Sequence, residues 1–209
     1  MQQGATNLRH RRSIRLRGYN YSQGGIYFVT ICAFRMKTLF GRIDRGKLAP
    51  NALGRIVQAE WLRTPWIRAG VELDLFVLMP NHFHGIVILH PGCRGVQQHA
   101  RIPGTAQLHS PTKTLGALVR GFKAATTSRI NALRGTPGEP VWQRNYYEHI
   151  VRNGKDLEDI RRYILINPAR WELERSNRPN RSAPGVLPYA PTARKQAPTE
   201  TDAAARPHE

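Results

Sequence analysis

His82-Phe83-His84 is the point in this 209-residue chain where chemistry-bearing side chains stand at a spacing that a fold can use. In an extended strand alternate side chains share a face, so the two imidazoles project together while Phe83 turns to the other side, into a core. Two imidazoles on one face are half of a divalent-metal site. Tyr163 and Asn167 lie four residues apart in Arg161-Arg162-Tyr163-Ile164-Leu165-Ile166-Asn167-Pro168, hence one turn apart on one helical face. Laid on the strand face that carries the imidazoles, such a helix brings a phenol and an amide to the same spot. Asn167 would then offer a carbonyl oxygen to the metal, and Tyr163 would attack a phosphorus atom held by it. Spacing alone also admits plainer roles, and favours them: two hydrogen-bonded structural histidines, a tyrosine on the shoulder of an amphipathic helix, and an asparagine capping a helix before proline.

The elements that must position these residues are legible around them. Ile26 to Ala33 is β-branched and aromatic behind Gly24-Gly25 and reads as a strand. Asn51 offers an N-cap to a helix whose apolar residues are Leu53, Ile56, Val57 and Trp61. Val71 to Met79 is a second strand; Pro80-Asn81 breaks it and His82 to Leu89 continues as a third. Leu115, Leu118, Val119, Phe122, Ile130 and Leu133 mark a second helix closed by Gly135, and a strand-like stretch runs from Val141 to Val151. The last helix starts near an Asn153 cap, carries Leu157, Ile160 and Ile164, and is expected to stop at Asn167-Pro168. The order β-α-β-β-α-β-α is the α+β ferredoxin-like split βαβ, an antiparallel sheet with helices on one face, plus a C-terminal helix.

Charge names the class of partner. Lys and Arg total 32 against 14 Asp and Glu, a formal +18, which calls for a polyanion. Residues 1–43 hold eight Lys or Arg and no carboxylate, with Arg11, Arg12, Arg15 and Arg17 in the densest part. Residues 1–20 therefore read as a basic arm for phosphates, beside the plainer reading of a solvated leader. Residues 21–175 read as the domain, with 90–111 as a loop insertion. Residues 176–209 read as a disordered tail, six of the fifteen prolines falling in 179–209. No stretch reaches the ~18 apolar residues of a membrane-spanning helix. Cys32 and Cys93 form no disulfide framework, so a cytoplasmic protein, nucleoid-associated when bound to DNA, is expected.

With these residues in view, the chain resembles the REP-associated tyrosine transposases of the single-tyrosine HUH superfamily. The resemblance runs from about Arg11 to Trp171. It rests on Arg12-Ser13-Ile14-Arg15-Leu16 with Gly18-Tyr19-Asn20-Tyr21, Tyr27-Phe28-Val29-Thr30, Met79-Pro80-Asn81-His82-Phe83-His84-Gly85, Gly121-Phe122-Lys123, Val141-Trp142-Gln143-Arg144-Asn145-Tyr146-Tyr147-Glu148-His149 and Tyr163 to Pro168, in that order. It implies a metal-dependent single-strand DNA endonuclease and strand transferase acting on REP-type hairpins through a 5′-phosphotyrosine. In that reading His82 and His84 bind Mg2+ or Mn2+, Tyr163 is the nucleophile and Asn167 takes the place of the third ligand. No small-molecule organic cofactor is expected, and the protein would act as a monomer or homodimer on single-stranded or hairpin DNA.

A phenol of ordinary pKa near 10 must be favoured as phenolate, by the metal or by Arg161 and Arg162. Lys123, Gln143 and Arg144, with Arg11, Arg12, Arg15 and Arg17, are the candidate DNA contacts, and Trp142, Tyr146 and Tyr147 supply stacking planes. Trp142 reads equally as a core anchor, and His149 as a satisfied core histidine. Two other readings stay open. One is a non-catalytic nucleic-acid-binding module on the same fold, with base-stacking aromatics on the sheet face; the other is a replication-initiator or relaxase relative that uses Tyr19 or Tyr21.

Overall fold

The computed structural model describes residues 24–91 and 114–176. The basic arm, most of the 90–111 loop and nearly all of the tail lie outside them, as do Tyr19, Tyr21 and Cys93. Four strands form the main sheet: β1 Gly25–Cys32, β4 Val71–Leu78, β5 His82–Leu89 and β6 Tyr147–Val151, in the order β4-β5-β1-β6. All neighbours are antiparallel, which is the ferredoxin-like split βαβ. The register sets Cys32 opposite His82 and Thr30 opposite His84 on one side, and Thr30 opposite Tyr147 on the other.

The period of two then sorts the side chains into two layers. Tyr27, Val29, Ile31, Phe83 and Val87 join Val57 and Trp61 of α1 (Ala52–Leu62) and Leu115, Leu118, Val119 and Phe122 of α3 (Leu115–Arg134) in the larger core. Gly85 is part of that fit. A Cβ there would meet the Trp61 ring at 2.8 Å, so the strand gives up a side chain to seat an indole. On the other face Phe28 and Ile86 pack against Ile160 and Ile164 of α4 (Gly154–Ser176). The expected helices on one face are thus α1 and α3, and the C-terminal helix lies on the opposite one.

The structure departs from the sequence pattern in four places. A hairpin, β2 Gly41–Asp44 and β3 Lys47–Pro50, turns through Arg45 and Gly46, both at positive φ. A short helix, α2 Thr64–Ile67, follows α1. The last strand begins at Tyr147, not Val141, because the preceding segment is held another way. Trp142 makes a single bridge to Ala33, and Lys123 Nζ donates to the carbonyls of Gln143 (2.9 Å), Arg144 (3.3 Å) and Asn145 (2.9 Å). Finally, α4 does not stop at Asn167-Pro168 but runs on to Ser176.

That continuation has a physical cause. Pro168 has no N–H for the Ile164 carbonyl, and an interior proline costs a helix about 3 kcal/mol. Tertiary contacts offset it. Trp171, one turn after Asn167, is buried, and Gly46 N at the hairpin tip donates to Glu172 Oε2 at 2.7 Å. A Cβ on Gly46 would sit 3.6 Å from Ala169, so the turn comes close to the helix. Nearer the N-terminal end of α4, Arg161 donates through Nε (3.0 Å) and Nη2 (2.7 Å) to Asp74 Oδ2 on β4, beside the irregularity between Leu73 and Phe76. The helix is therefore fastened at both ends. No described helix is long and apolar enough to cross a membrane.

Asp74→Ala and Glu172→Ala should each lower the thermal midpoint by about 2–4 °C, for the loss of about 1 kcal/mol. Amide exchange should quicken across 160–176 while β1 and β5 stay protected; equal quickening everywhere would show that these bonds do not act through α4. Lys123→Met should cost about 1–2 kcal/mol by leaving the 143–145 carbonyls without their donor, and denaturant unfolding monitored by Trp142 fluorescence would register it.

Candidate active site

Strand β5 presents His82 and His84 on the α4 face, their ring centres 4.6 Å apart and nearly perpendicular. Both are buried. Each is held at Nδ1: Asn81 Oδ1 lies 2.6 Å from His82 Nδ1, and Thr30 Oγ1 lies 2.8 Å from His84 Nδ1. An amide oxygen only accepts, so His82 carries its proton on Nδ1, and the Thr30 hydroxyl can accept from the second ring in the same way. His82 Nε2 is thereby left with its lone pair, and so is His84 Nε2 when Thr30 accepts. Asn81 is itself anchored, its Nδ2 donating to Met36 O at 3.3 Å.

The same burial keeps the rings neutral. Desolvation lowers the His82 pKa to about 4, and desolvation together with the neighbouring His82 ring holds His84 well below its ordinary value. A neutral imidazole with Nδ1–H fixed by a hydrogen bond and the lone pair on Nε2 is the form in which histidine ligates a metal.

Helix α4 lays three residues over this pair at intervals of one turn. The Tyr163 hydroxyl reaches His84 Nε2 at 3.3 Å, with ring centres 5.2 Å apart, and Phe28 stacks under His84 and meets Tyr163 edge-on. Trp171 stands at the far end, its ring centre 5.8 Å from that of His82. Between them on the same helical face, buried at 8% exposure, is Asn167. It is not the C-cap that proline spacing allowed, since the helix continues for nine residues beyond it, to Ser176.

Among the described residues no three His, Cys, Asp or Glu side chains gather to hold a metal. The two imidazole nitrogens are donors that a divalent cation could use here, Asn167 on the overlying face of α4 is the candidate for an oxygen ligand, and exchangeable oxygen ligands would complete the coordination.

The structure brings His82, His84 and Tyr163 together and sets Asn167 on the same face of α4, between Tyr163 and Trp171; the other sequence candidates lie elsewhere. Lys123 does not reach outward as a phosphate contact. Its three donors meet backbone carbonyls, and burial lowers its pKa to about 8. Gln143 and Arg144 sit on the segment it holds, along a groove of about 830 Å³ between that segment and α3. Trp142 is a core anchor whose indole donates to Thr126 Oγ1 at 2.8 Å. Arg161 turns to Asp74 and Glu158, both of which raise its pKa, and so is not the cation beside the phenol. Tyr146 donates to Glu148, and His149 pairs with Asp156 at 2.9 Å. Arg11, Arg12, Arg15 and Arg17 lie outside the described residues.

Sequence reading missed Thr30, Asn81 and Trp171. Two of these were within reach: Thr30 is the polar residue in an apolar strand run, and Asn81 directly precedes His82. Trp171 was hidden behind Pro168, which marked a helix end.

No family model matches the chain. An uncharacterised protein of Haemophilus influenzae is 42% identical over 175 residues, spanning 80% of this chain and 93% of its own. Among solved structures, a REP-associated tyrosine transposase bound to a REP hairpin superposes with a TM-score of 0.51 at 21% identity, over 75% of this chain and 73% of its own. At that identity the likeness is one of fold. The chain belongs to the same family as the Haemophilus influenzae protein, and its fold is that of a REP-associated tyrosine transposase.

Proposed function

We propose that the protein is a metal-dependent single-strand DNA endonuclease and strand transferase, acting on hairpin DNA of the REP type through a 5′-phosphotyrosine on Tyr163. The observation that carries this reading is the placement of the Tyr163 hydroxyl 3.3 Å from Nε2 of a buried histidine whose other nitrogen is already bonded. The hairpin-bound neighbour of the same fold and the +18 charge support a DNA substrate.

Mg2+ or Mn2+ on the two Nε2 atoms, with the Asn167 amide oxygen beside them, would supply Lewis-acid polarisation of the scissile phosphate. The protein's own groups do the rest. Phe28 and the Thr30 hydroxyl fix the His84 ring, and the Arg161–Asp74 pair fixes the helix that delivers the phenol. The Tyr163 oxygen bonds to phosphorus as its proton passes to solvent; the bond from phosphorus to the 3′ oxygen breaks, and that oxygen is released as a hydroxyl. Attack by a 3′-hydroxyl on the phosphotyrosine reverses the step and joins strands without a nucleotide cofactor.

A module that reads bases on an open sheet face is less well supported, because α4 covers the face that carries the histidines. Arg144, Gln143 and the arm arginines remain the proposed contacts to the rest of the DNA.

Incubated with Mn2+ and a labelled single-stranded hairpin, the wild type should form a covalent protein–DNA adduct and Tyr163→Phe should form none. His82→Ala and His84→Ala should lose cleavage while keeping most hairpin binding. An adduct that persists in Tyr163→Phe overturns the nucleophile, and cleavage in the histidine variants overturns the metal role.

The buried imidazoles also set a pH dependence of stability. His82 titrates near 4 in the folded chain and near 6.5 when unfolded, so between these values the unfolded state binds the extra proton. Stability is therefore lost as pH falls from about 6.5 towards 4. The thermal midpoint of His82→Gln should fall less over that interval than that of the wild type, and parallel curves would remove this assignment.

A further inference from the structure

A second surface, away from the histidine pair, combines an aromatic plane with positive charge that no described carboxylate pairs. At the corner where α1 passes into α2, Trp66 is 76% exposed, and Leu62 and Ile67 beside it are more than half exposed. Large apolar side chains rarely stand this open together unless they meet something. The other described tryptophans, Trp61, Trp142 and Trp171, are all buried.

Two residues after Trp66, the guanidinium of Arg68 lies in the notch that Gly121 leaves on α3. A Cβ there would meet Arg68 Nη2 at 2.5 Å, and Nη2 donates to Ala117 O at 3.2 Å. Arg68 is thus fixed in place, next to exposed Arg120, and the two like charges interact: burial first and Arg120 second pull the Arg68 pKa below its ordinary value. Among the described residues neither makes a salt bridge. The nearest acid along α1, Glu60, is buried and committed to Arg63 and Arg129. Residues 92–113, which lead into α3, contain no Asp or Glu at all. No described carboxylate neutralises the pair, so a phosphate is a chemically suited partner for it.

We propose that Trp66, Arg68 and Arg120 form a binding site for unpaired DNA, a base stacking on the Trp66 indole and the adjoining phosphates lying on the two guanidiniums. Strand β4 separates this corner from the histidines: it runs from Val71, near α2, to Leu78, next to the turn before His82, a span of about 25 Å. The site therefore holds sequence flanking the cut, not the cut itself. In this respect it rests on the proposed DNA substrate, but its binding does not depend on cleavage.

The test uses the full chain carrying Tyr163→Phe, with a twelve-residue oligothymidylate as probe, so that neither a hairpin nor catalysis is involved. The oligonucleotide should quench tryptophan fluorescence, and adding Trp66→Phe should abolish most of the quench. Trp66→Ala should weaken binding of the labelled oligonucleotide roughly tenfold. Arg68→Gln and Arg120→Gln should each reduce the slope of log affinity against log salt by about one. Unchanged quenching in Trp66→Phe, or unchanged affinity in Trp66→Ala, overturns the proposal. So does sedimentation in which Trp66→Ala abolishes self-association of a protein whose DNA affinity it leaves intact, since the patch would then be an interface between copies. Loss of oligonucleotide binding in these variants supports the site even if no hairpin is ever cleaved.

Discussion

Everything at the histidine pair depends on how α4 is pressed across one face of the sheet. A helix on an antiparallel sheet is ordinarily positioned by its apolar stripe alone, and here that stripe is short, chiefly Ile160 and Ile164 against Phe28 and Ile86. Directional bonds supply the rest of the precision. Arg161 on Asp74 fixes the helix near its start, and Glu172 on Gly46 N fixes it near its end. Tyr163, Asn167 and Trp171 lie between the two fastenings. The hairpin that provides the second one, together with the buried Trp171, holds the helix past a proline.

Inside that frame the arrangement turns on which nitrogen of each ring is already held. Strand register puts Thr30 beside His84, and chain adjacency puts Asn81 beside His82, so both rings are bonded at Nδ1. Burial keeps them uncharged. Neither effect is costly in the way a buried charge is, because each ring is neutral and each polar edge is satisfied or faces a partner. The face opposite is wholly apolar in purpose: Phe83, Gly85 and Val87 serve Trp61 and the two helices behind the sheet.

Much of this was legible in the chain. Period-two alternation in His82 to Leu89 and helical spacing in Leu115 to Leu133 report burial, and burial is what the fold rewards. The His-x-His pair and the four-residue step from Tyr163 to Asn167 carried the site on the same logic. What escaped was set by contacts between distant segments. Pro168 argued for a helix end on local grounds, and the tertiary seat of Trp171 outweighed it. The short hairpin at 41–50 has too few apolar residues to signal itself, although Arg45-Gly46 is a turn in retrospect. The early start assigned to the last strand failed because the Lys123 ammonium, 20 residues away, claims the carbonyls that a strand would pair. In the sequence Lys123 reads as a contact to DNA and Arg161 as a cation beside the phenol, while the fold uses both charges on itself.

The hydrogen bond from Tyr163 to His84 spans 79 residues of chain. Long loops close slowly, and a chain made from its N-terminus acquires α4 after every strand of the sheet. The order of synthesis is therefore also an order of competence. A nascent chain carrying the complete imidazole pair, or a fragment lost to proteolysis ahead of the last helix, holds no phenol against it. Under the proposed function, the constellation that would cut a strand is completed only when the last helix is in place, so topology alone withholds it from unfinished molecules.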